Sequence, residues 1–157
     1  MTRVLCDKSM SIKLKSKIYK QVVRPSLVYG SECWGIRRKE EQKMKTTETK
    51  MLRWSLGYTL QDRNRNEYIR SVMRTAGVDE KMREGRLRYW GHVNRREDHH
   101  IGKRTVNMNI EGKAKRGRPK KCLTRTIKDD MNQLQLSTAD WTDRSGWRRK
   151  IKVADPV

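Results

Sequence analysis

Residues 64–94 read NRNEYIRSVMRTAGVDEKMREGRLRYWGHVN, and this stretch decides the fold class. Asn64 is a good helix N-cap, and Glu67, three residues on, can answer it as in a capping box. Gly77 can close that helix, with Tyr68, Ile69, Val72, Met73 and Ala76 along one face. Asp79 then caps a second helix reaching about Asn94, with Met82, Leu87, Tyr89, Trp90 and Val93 at its apolar positions. Gly85 and Gly91 weaken it by about 1 kcal/mol each relative to Ala. Two helices so clearly punctuated set a mainly α expectation.

Upstream, Leu14, Ile18, Tyr19, Val22 and Val23 form a helical stripe over Ile12–Arg24. Pro25 biases Arg24 away from helical geometry, so that helix is expected to end or kink there. Another helix is expected from Lys39 to Leu56, with Met44, Met51 and Leu52 plus Thr47 and Ser55 inward and Gly57 at its C-terminal cap. Downstream, Val106, Met108 and Ile110 alternate with polar residues in the pattern of a short strand. Residues 112–121 form a basic linker without apolar periodicity. Leu123, Ile127, Met131 and Leu134 restore helical spacing, and a short helix around Trp147 follows. The expected organisation is a helical domain over 1–97, a linker over 98–121 and a C-terminal helical segment over 122–157. No repeat at a fixed period supports a solenoid.

Composition bounds the function. The 157 residues carry 39 Lys plus Arg against 18 Asp plus Glu, a net charge of +21, and Phe is absent. Only 28 residues are Leu, Ile or Val, so few that composition alone borders on disorder. Such a length allows one small domain or two subdomains, and argues against a large enzymatic core. No apolar run nears the ~20 residues of a membrane span, and the start does not read as a secretory signal. A polyanion is the expected partner: nucleic acid first, an anionic membrane surface second. The cysteines, Cys6, Cys33 and Cys122, are odd in number and far apart, which fits free thiols in a reducing compartment. The histidines His92, His99 and His100 lack the clustered partners zinc needs. Neither metal nor cofactor is expected.

The sharpest local feature is Lys113-Ala114-Lys115-Arg116-Gly117-Arg118-Pro119-Lys120-Lys121, with six basic residues in nine. Its Arg-Gly-Arg-Pro centre looks like the core of an AT-hook. A narrow A·T minor groove attracts inserted Arg, Gly117 permits close backbone approach, and Pro119 holds the chain extended. Flanking lysines would meet phosphates, and the run also resembles a nuclear localisation signal. The plainer alternative is a solvated basic loop. Arg63, Arg65, Arg70, Arg83, Arg86, Arg88, Arg95 and Arg96 add guanidinium groups along helices, where Arg grips phosphate with its planar fork. Tyr89-Trp90 can stack on unpaired bases, although core packing suits aromatics in so aliphatic-poor a chain. Catalytic constellations are not found. The only Asp-Asp pair, Asp129-Asp130, sits inside an amphipathic helix, where neighbours point about 100° apart.

The order of these blocks resembles the C-terminal part of reverse transcriptases from non-LTR retrotransposons (LINE elements), particularly RTE-type and related lineages. The blocks are Arg3-Val4-Leu5-Cys6-Asp7, Lys13-Leu14-Lys15, Tyr19-Lys20, Val22-Val23-Arg24-Pro25, Tyr29-Gly30-Ser31-Glu32-Cys33-Trp34 and Met51-Leu52-Arg53-Trp54. Then come Asp62-Arg63, Arg65-Asn66-Glu67, Ile69-Arg70, Arg86-Leu87-Arg88-Tyr89-Trp90-Gly91-His92-Val93, Arg116-Gly117-Arg118-Pro119 and Trp147-Arg148. The resemblance implies a helical thumb and post-thumb segment that holds RNA or DNA during target-primed reverse transcription. It implies no activity of this chain itself, since the aromatic-x-Asp-Asp palm motif and the endonuclease lie upstream in that family. Ser55, Arg96 and Cys122-Leu123 depart from the family pattern, as in a drifting copy. The expectation is thus a non-catalytic nucleic-acid-binding segment, nuclear or else cytoplasmic. It uses Lys113, Lys115, Arg116, Gly117, Arg118, Pro119, Lys120, Lys121, Arg63, Arg65, Arg70, Arg86 and Arg88. The alternatives are a stand-alone AT-hook-like module or a non-functional product of a decayed retroelement.

Overall fold

The computed structural model describes residues 2–33, 35–108, 117 and 122–156. Every regular element among them is helical: α1 (Thr2–Cys6), α2 (Ile12–Ile18), a π turn (Tyr19–Val23), α3 (Arg24–Val28), α4 (Arg38–Leu56), α5 (Asn66–Met73), α6 (Val78–Asn94), α7 (Ile101–Asn107), α8 (Leu123–Gln133) and α9 (Arg144–Ile151). The expected strand is therefore corrected. Val106 lies in α7, Met108 is its C-cap, and Ile110 falls outside the described residues. His100 starts α7 by accepting a hydrogen bond from the Gly102 N–H at 3.2 Å, and three alternating residues are too few to overrule that start.

The chain divides into two compact units, and the division falls inside α6. One unit holds residues 1–29, 38–82 and 153–157; the other holds 30–37 and 83–152. The stretch expected as linker over 98–121 contains α7.

In the first unit Tyr19, Leu52, Ile69 and Met73 form the core, with Val23, Leu56 and Tyr58 packed against it. The expected inward stripe holds only in part: Tyr19 and Val23 reach the core, but Leu14 is 45% and Val22 38% exposed, while Lys15 and Ser16 are buried. The reason lies in what α2 meets. A helix leaves its last four carbonyls without intrahelical donors, and α2 faces two such ends. Lys15 Nζ donates to the Ser55 carbonyl near the end of α4 (2.6 Å), and Ser16 Oγ to the Met73 carbonyl that ends α5 (2.6 Å). A cation at a helix C-terminus also interacts favourably with the macrodipole.

Pro25 does not end the helix. The chain loosens into a π turn just before it, where the Arg24 N–H bonds the Tyr19 carbonyl, and continues as α3. A π bulge gives a proline ring room that a regular turn denies it.

The inner face of α4 is Glu48, Leu52 and Ser55, not the Met44–Thr47–Met51 side. Ser55, a departure from the family pattern, is satisfied by donating to the Leu52 carbonyl at 2.8 Å. Helix α5 starts at Asn66 with Arg65 rather than Asn64 at its N-cap, because Arg53 of α4 bonds the Asn64 carbonyl and Asn66 Oδ1. It ends on Arg74, left-handed at φ 50°, while Gly77 serves α6 by donating to Glu80 Oε2. Residues 153–156 are pinned through Asp155, which accepts two bonds from Arg24 (2.6 and 2.9 Å) and one from the Ala76 N–H (2.9 Å). Desolvation opposes ionisation of Asp155, yet the Arg24 and Ala76 bonds outweigh it and bring the carboxyl down to about 2.

In the second unit Leu87, Ile127, Met131, Trp147 and Ile151 form the core, and Trp90, Leu123, Leu134, Leu136 and Trp141 pack against it. Helix α8 thus keeps the spacing read from sequence, and α9 is the short helix expected around Trp147. Trp90 meets Trp141 edge-on at 6.3 Å, which favours the packing role over base stacking for this residue. Gly91 is there for Trp147: a Cβ at Gly91 would lie 2.5 Å from the indole Nε1, whereas one at Gly85 would meet nothing. Gly85→Ala is expected to stabilise the protein by up to about 1 kcal/mol through helix propensity. Gly91→Ala is expected to destabilise it by about 1–3 kcal/mol through overpacking. Urea titrations that gave both changes the same sign would refute this division of roles.

Candidate functional site

The arginines singled out from sequence fall into different settings. In the first unit Arg63 and Arg65 are exposed in the loop before α5, and Arg63 sits at φ 49°. Arg70 is half-buried, with Nε 3.5 Å from Glu48 Oε2. In the second unit Arg86 is buried, with Nε and Nη2 bonded to both oxygens of Asp130 at 2.8 and 3.2 Å. Its fork is spent inside the protein, so it leaves the set of phosphate-facing candidates. Arg88, two residues on, is exposed and pairs with Glu84 one turn earlier. Of the 113–121 run, Gly117 is exposed at φ 119°; Lys113, Lys115, Arg116, Arg118, Pro119, Lys120 and Lys121 lie outside the described residues.

Glu48 is a feature the sequence reading missed. Its side chain is fully buried. It accepts from the Tyr19 hydroxyl at 2.7 Å and from the Val78 N–H at 3.2 Å. Burial, then the Glu48 charge, pushes the Tyr19 phenol far above its ordinary value. This constellation ties α4, α5, α6 and the π turn together, and it reads as structural because no oxygen of it opens to solvent.

A different grouping faces solvent in the second unit. A cleft of about 450 Å³ is lined by Arg88, Tyr89, His92, Arg95, Arg144 and Arg148, with Gly85 and Trp147 at its base. Glu32 is the one acidic residue among the described lining. Helix α6 supplies the first three of these side chains, Arg95 follows directly on its C-terminal end, and α9 supplies Arg144 and Arg148 one turn apart. Trp147 lies between them in sequence and anchors α9 by donating its indole N–H to the Leu87 carbonyl at 3.0 Å. Arg95 donates to the Trp141 carbonyl at 2.7 Å, which aims its guanidinium along the cleft wall. Partial burial and the charges of Arg144 and Arg148 lower the Arg95 pKa, the mark of cations gathered without neutralising partners. The same setting, desolvation first and then Arg96 and Arg95, lowers His92. Neither Arg144 nor Arg148 has a carboxylate partner among the described residues. Planar forks converging on a cleft that holds one acid are suited to oxyanions, phosphate above all. Arg88, Tyr89 and Arg95 were legible in the sequence. Arg144 and Arg148 were visible only as an i, i+4 pair flanking a tryptophan, a signal that needs the helix to be known.

The three cysteines are exposed and unpaired with one another. Among the described residues no helix is long and apolar enough to cross a membrane.

No family model and no solved structure matches the chain. An uncharacterized transposon-derived protein of Caenorhabditis elegans is 30% identical over 90 residues, covering 55% of this chain and 32% of its own length. The chain spans about a third of that relative. The similarity links the sequence to transposon-derived proteins.

Proposed function

We propose that this chain is a non-catalytic, nucleic-acid-binding C-terminal segment of a LINE-type reverse transcriptase, holding RNA or DNA by its phosphates. The observation that carries the reading is the cleft of the second unit, where Arg88, Arg95, Arg144 and Arg148 converge and Glu32 is the one acidic residue among the described lining. A chain at +21 repels itself, and a polyanion relieves that repulsion while releasing condensed counterions. The ordered motif series and the likeness to a transposon-derived protein support the retroelement part of the reading. The chain carries no aromatic-x-Asp-Asp motif, so polymerisation is left to a palm elsewhere.

The test is a salt titration of binding to duplex DNA and to structured RNA. Arg144→Gln/Arg148→Gln is expected to weaken both and to flatten the log–log salt slope by about 2 on duplex DNA, near 0.9 per lost phosphate contact. An unchanged slope would remove the cleft from the interface. Arg116→Gln/Arg118→Gln provides the second arm, because the Arg-Gly-Arg-Pro sequence favours an AT-hook-like reading. If that pair abolishes a strong preference for A·T-rich over G·C-rich duplex, the AT-hook module replaces the retroelement grip.

A further inference from the structure

One face of α4 in the first unit is exposed along most of the helix. Lys39, Lys43, Thr47, Lys50 and Trp54 follow one another at spacings of four, four, three and four residues, so they form a single stripe along the helix. All five are exposed. None of the three lysines has a carboxylate partner among the described residues. Like charges one turn apart destabilise a helix, and Lys39 and Lys43 stand in that relation.

The stripe ends at a feature of a different kind. Trp54 is 67% exposed, whereas Trp147 is buried and Trp90 and Trp141 pack on a core. Beside it a groove of about 910 Å³ runs between Met51, Tyr58 and Leu60, with Lys50 and Arg53 among its walls. Leu60 is 80% exposed. Apolar side chains held in the open next to unpaired cations do not suit a purely ionic partner, nor a purely apolar one.

We infer that this stripe is a binding site for single-stranded nucleic acid, in which Lys39, Lys43 and Lys50 track the phosphates and Trp54 stacks an unpaired base. The occupant follows from the pairing of the two chemistries. Sequence-tolerant single-strand sites combine a cationic track with an aromatic platform, because every base has a π face and every linkage a charge. A duplex offers the charge but keeps its bases stacked within. Lys39 and Trp54 are separated by a rise of about 22 Å, at about 1.5 Å per residue, enough for several nucleotides. The site deepens the nucleic-acid reading above and rests on it, but uses residues that the cleft does not.

The test measures anisotropy of labelled oligomers with the full chain: oligo-dT, an abasic strand of equal length, and a duplex. Wild-type protein is expected to bind oligo-dT more tightly than the abasic strand by about 5- to 150-fold, the range for one stacked base. Trp54→Leu is expected to remove that advantage and leave the abasic strand and duplex unaffected, while Trp54→Phe restores part of it. Lys43→Gln/Lys50→Gln is expected to weaken oligo-dT and the abasic strand together, reducing the salt slope by about 0.7 per lysine. Equal wild-type affinity for oligo-dT and the abasic strand, or unchanged oligo-dT binding in Trp54→Leu, overturns this site alone and leaves the groove as a protein-docking face. Failure of all three ligands to bind overturns the nucleic-acid reading with it.

Discussion

Glu48→Ala is expected to unfold the first unit at ordinary temperature. The substitution strands two buried donors and takes the counter-charge from the half-buried Arg70. The Tyr19 hydroxyl and the Val78 N–H lose their acceptor, and Arg70 loses the anion 3.5 Å from its Nε. Removing one member of a buried charged pair costs about 3–5 kcal/mol, chiefly because the other charge is left uncompensated. Orphaned neutral donors add about 1–3 kcal/mol each. Against a total stability of about 5–15 kcal/mol for a small domain, the loss is decisive. Glu48→Gln is expected to be milder, since its single carbonyl oxygen can keep either the Tyr19 or the Val78 bond, with the amide nitrogen facing the other donor. Urea unfolding followed by far-UV circular dichroism checks this. The alanine variant should lose the helical signal of one unit, and a stable alanine variant would mean that Glu48 is solvated and not a hub.

That hub also explains what could not be read in advance. Helix α4 was legible to within a residue of its ends, because a long run of good helix formers between Lys39 and Leu56 admits no other structure. Its inner face was legible only at Leu52 and Ser55. A reading by hydrophobic periodicity places Met44 and Met51 inside, because it assumes a core made of apolar surface. Here the charged Glu48 occupies the centre, and the apolar share of the stripe shrinks to Leu52. Lys15 and Ser16 mislead in the same way on α2: they are buried because they meet helix ends, whose carbonyls demand donors. The second unit was more legible for the opposite reason. Ile127, Met131, Trp147 and Ile151 bury apolar surface against apolar surface, and periodicity then reports burial faithfully. The cleft was half legible, since α6 announced its arginines while α9 is too short to declare which way Arg144 and Arg148 face. Trp54 was read as one residue of a motif, and its exposure is a property of the packed unit that no local pattern carries.

Asp130→Ala is expected to be as damaging to the second unit as Glu48→Ala is to the first. Arg86 and Asp130 are both buried, and two hydrogen bonds join them. Truncating the acid leaves a guanidinium enclosed without an anion, at a cost of about 3–5 kcal/mol. The pair as a whole is a different matter, because two desolvation penalties stand against its attraction. Replacing both residues by apolar ones of similar size, as in Arg86→Met/Asp130→Leu, is expected to be neutral or stabilising by about 1–4 kcal/mol. The contrast between single and double variants, read from urea midpoints, separates a buried ion pair from a surface contact, for which both effects stay under about 1 kcal/mol. The double variant also tests the assignment of roles among the arginines. With its fork spent on Asp130, Arg86 contributes nothing to a phosphate, so Arg86→Met/Asp130→Leu should bind duplex DNA with the wild-type salt slope, whereas Arg144→Gln/Arg148→Gln does not. A slope that fell with the double swap would put Arg86 in solution with the ligand and require the ion pair to open when nucleic acid binds.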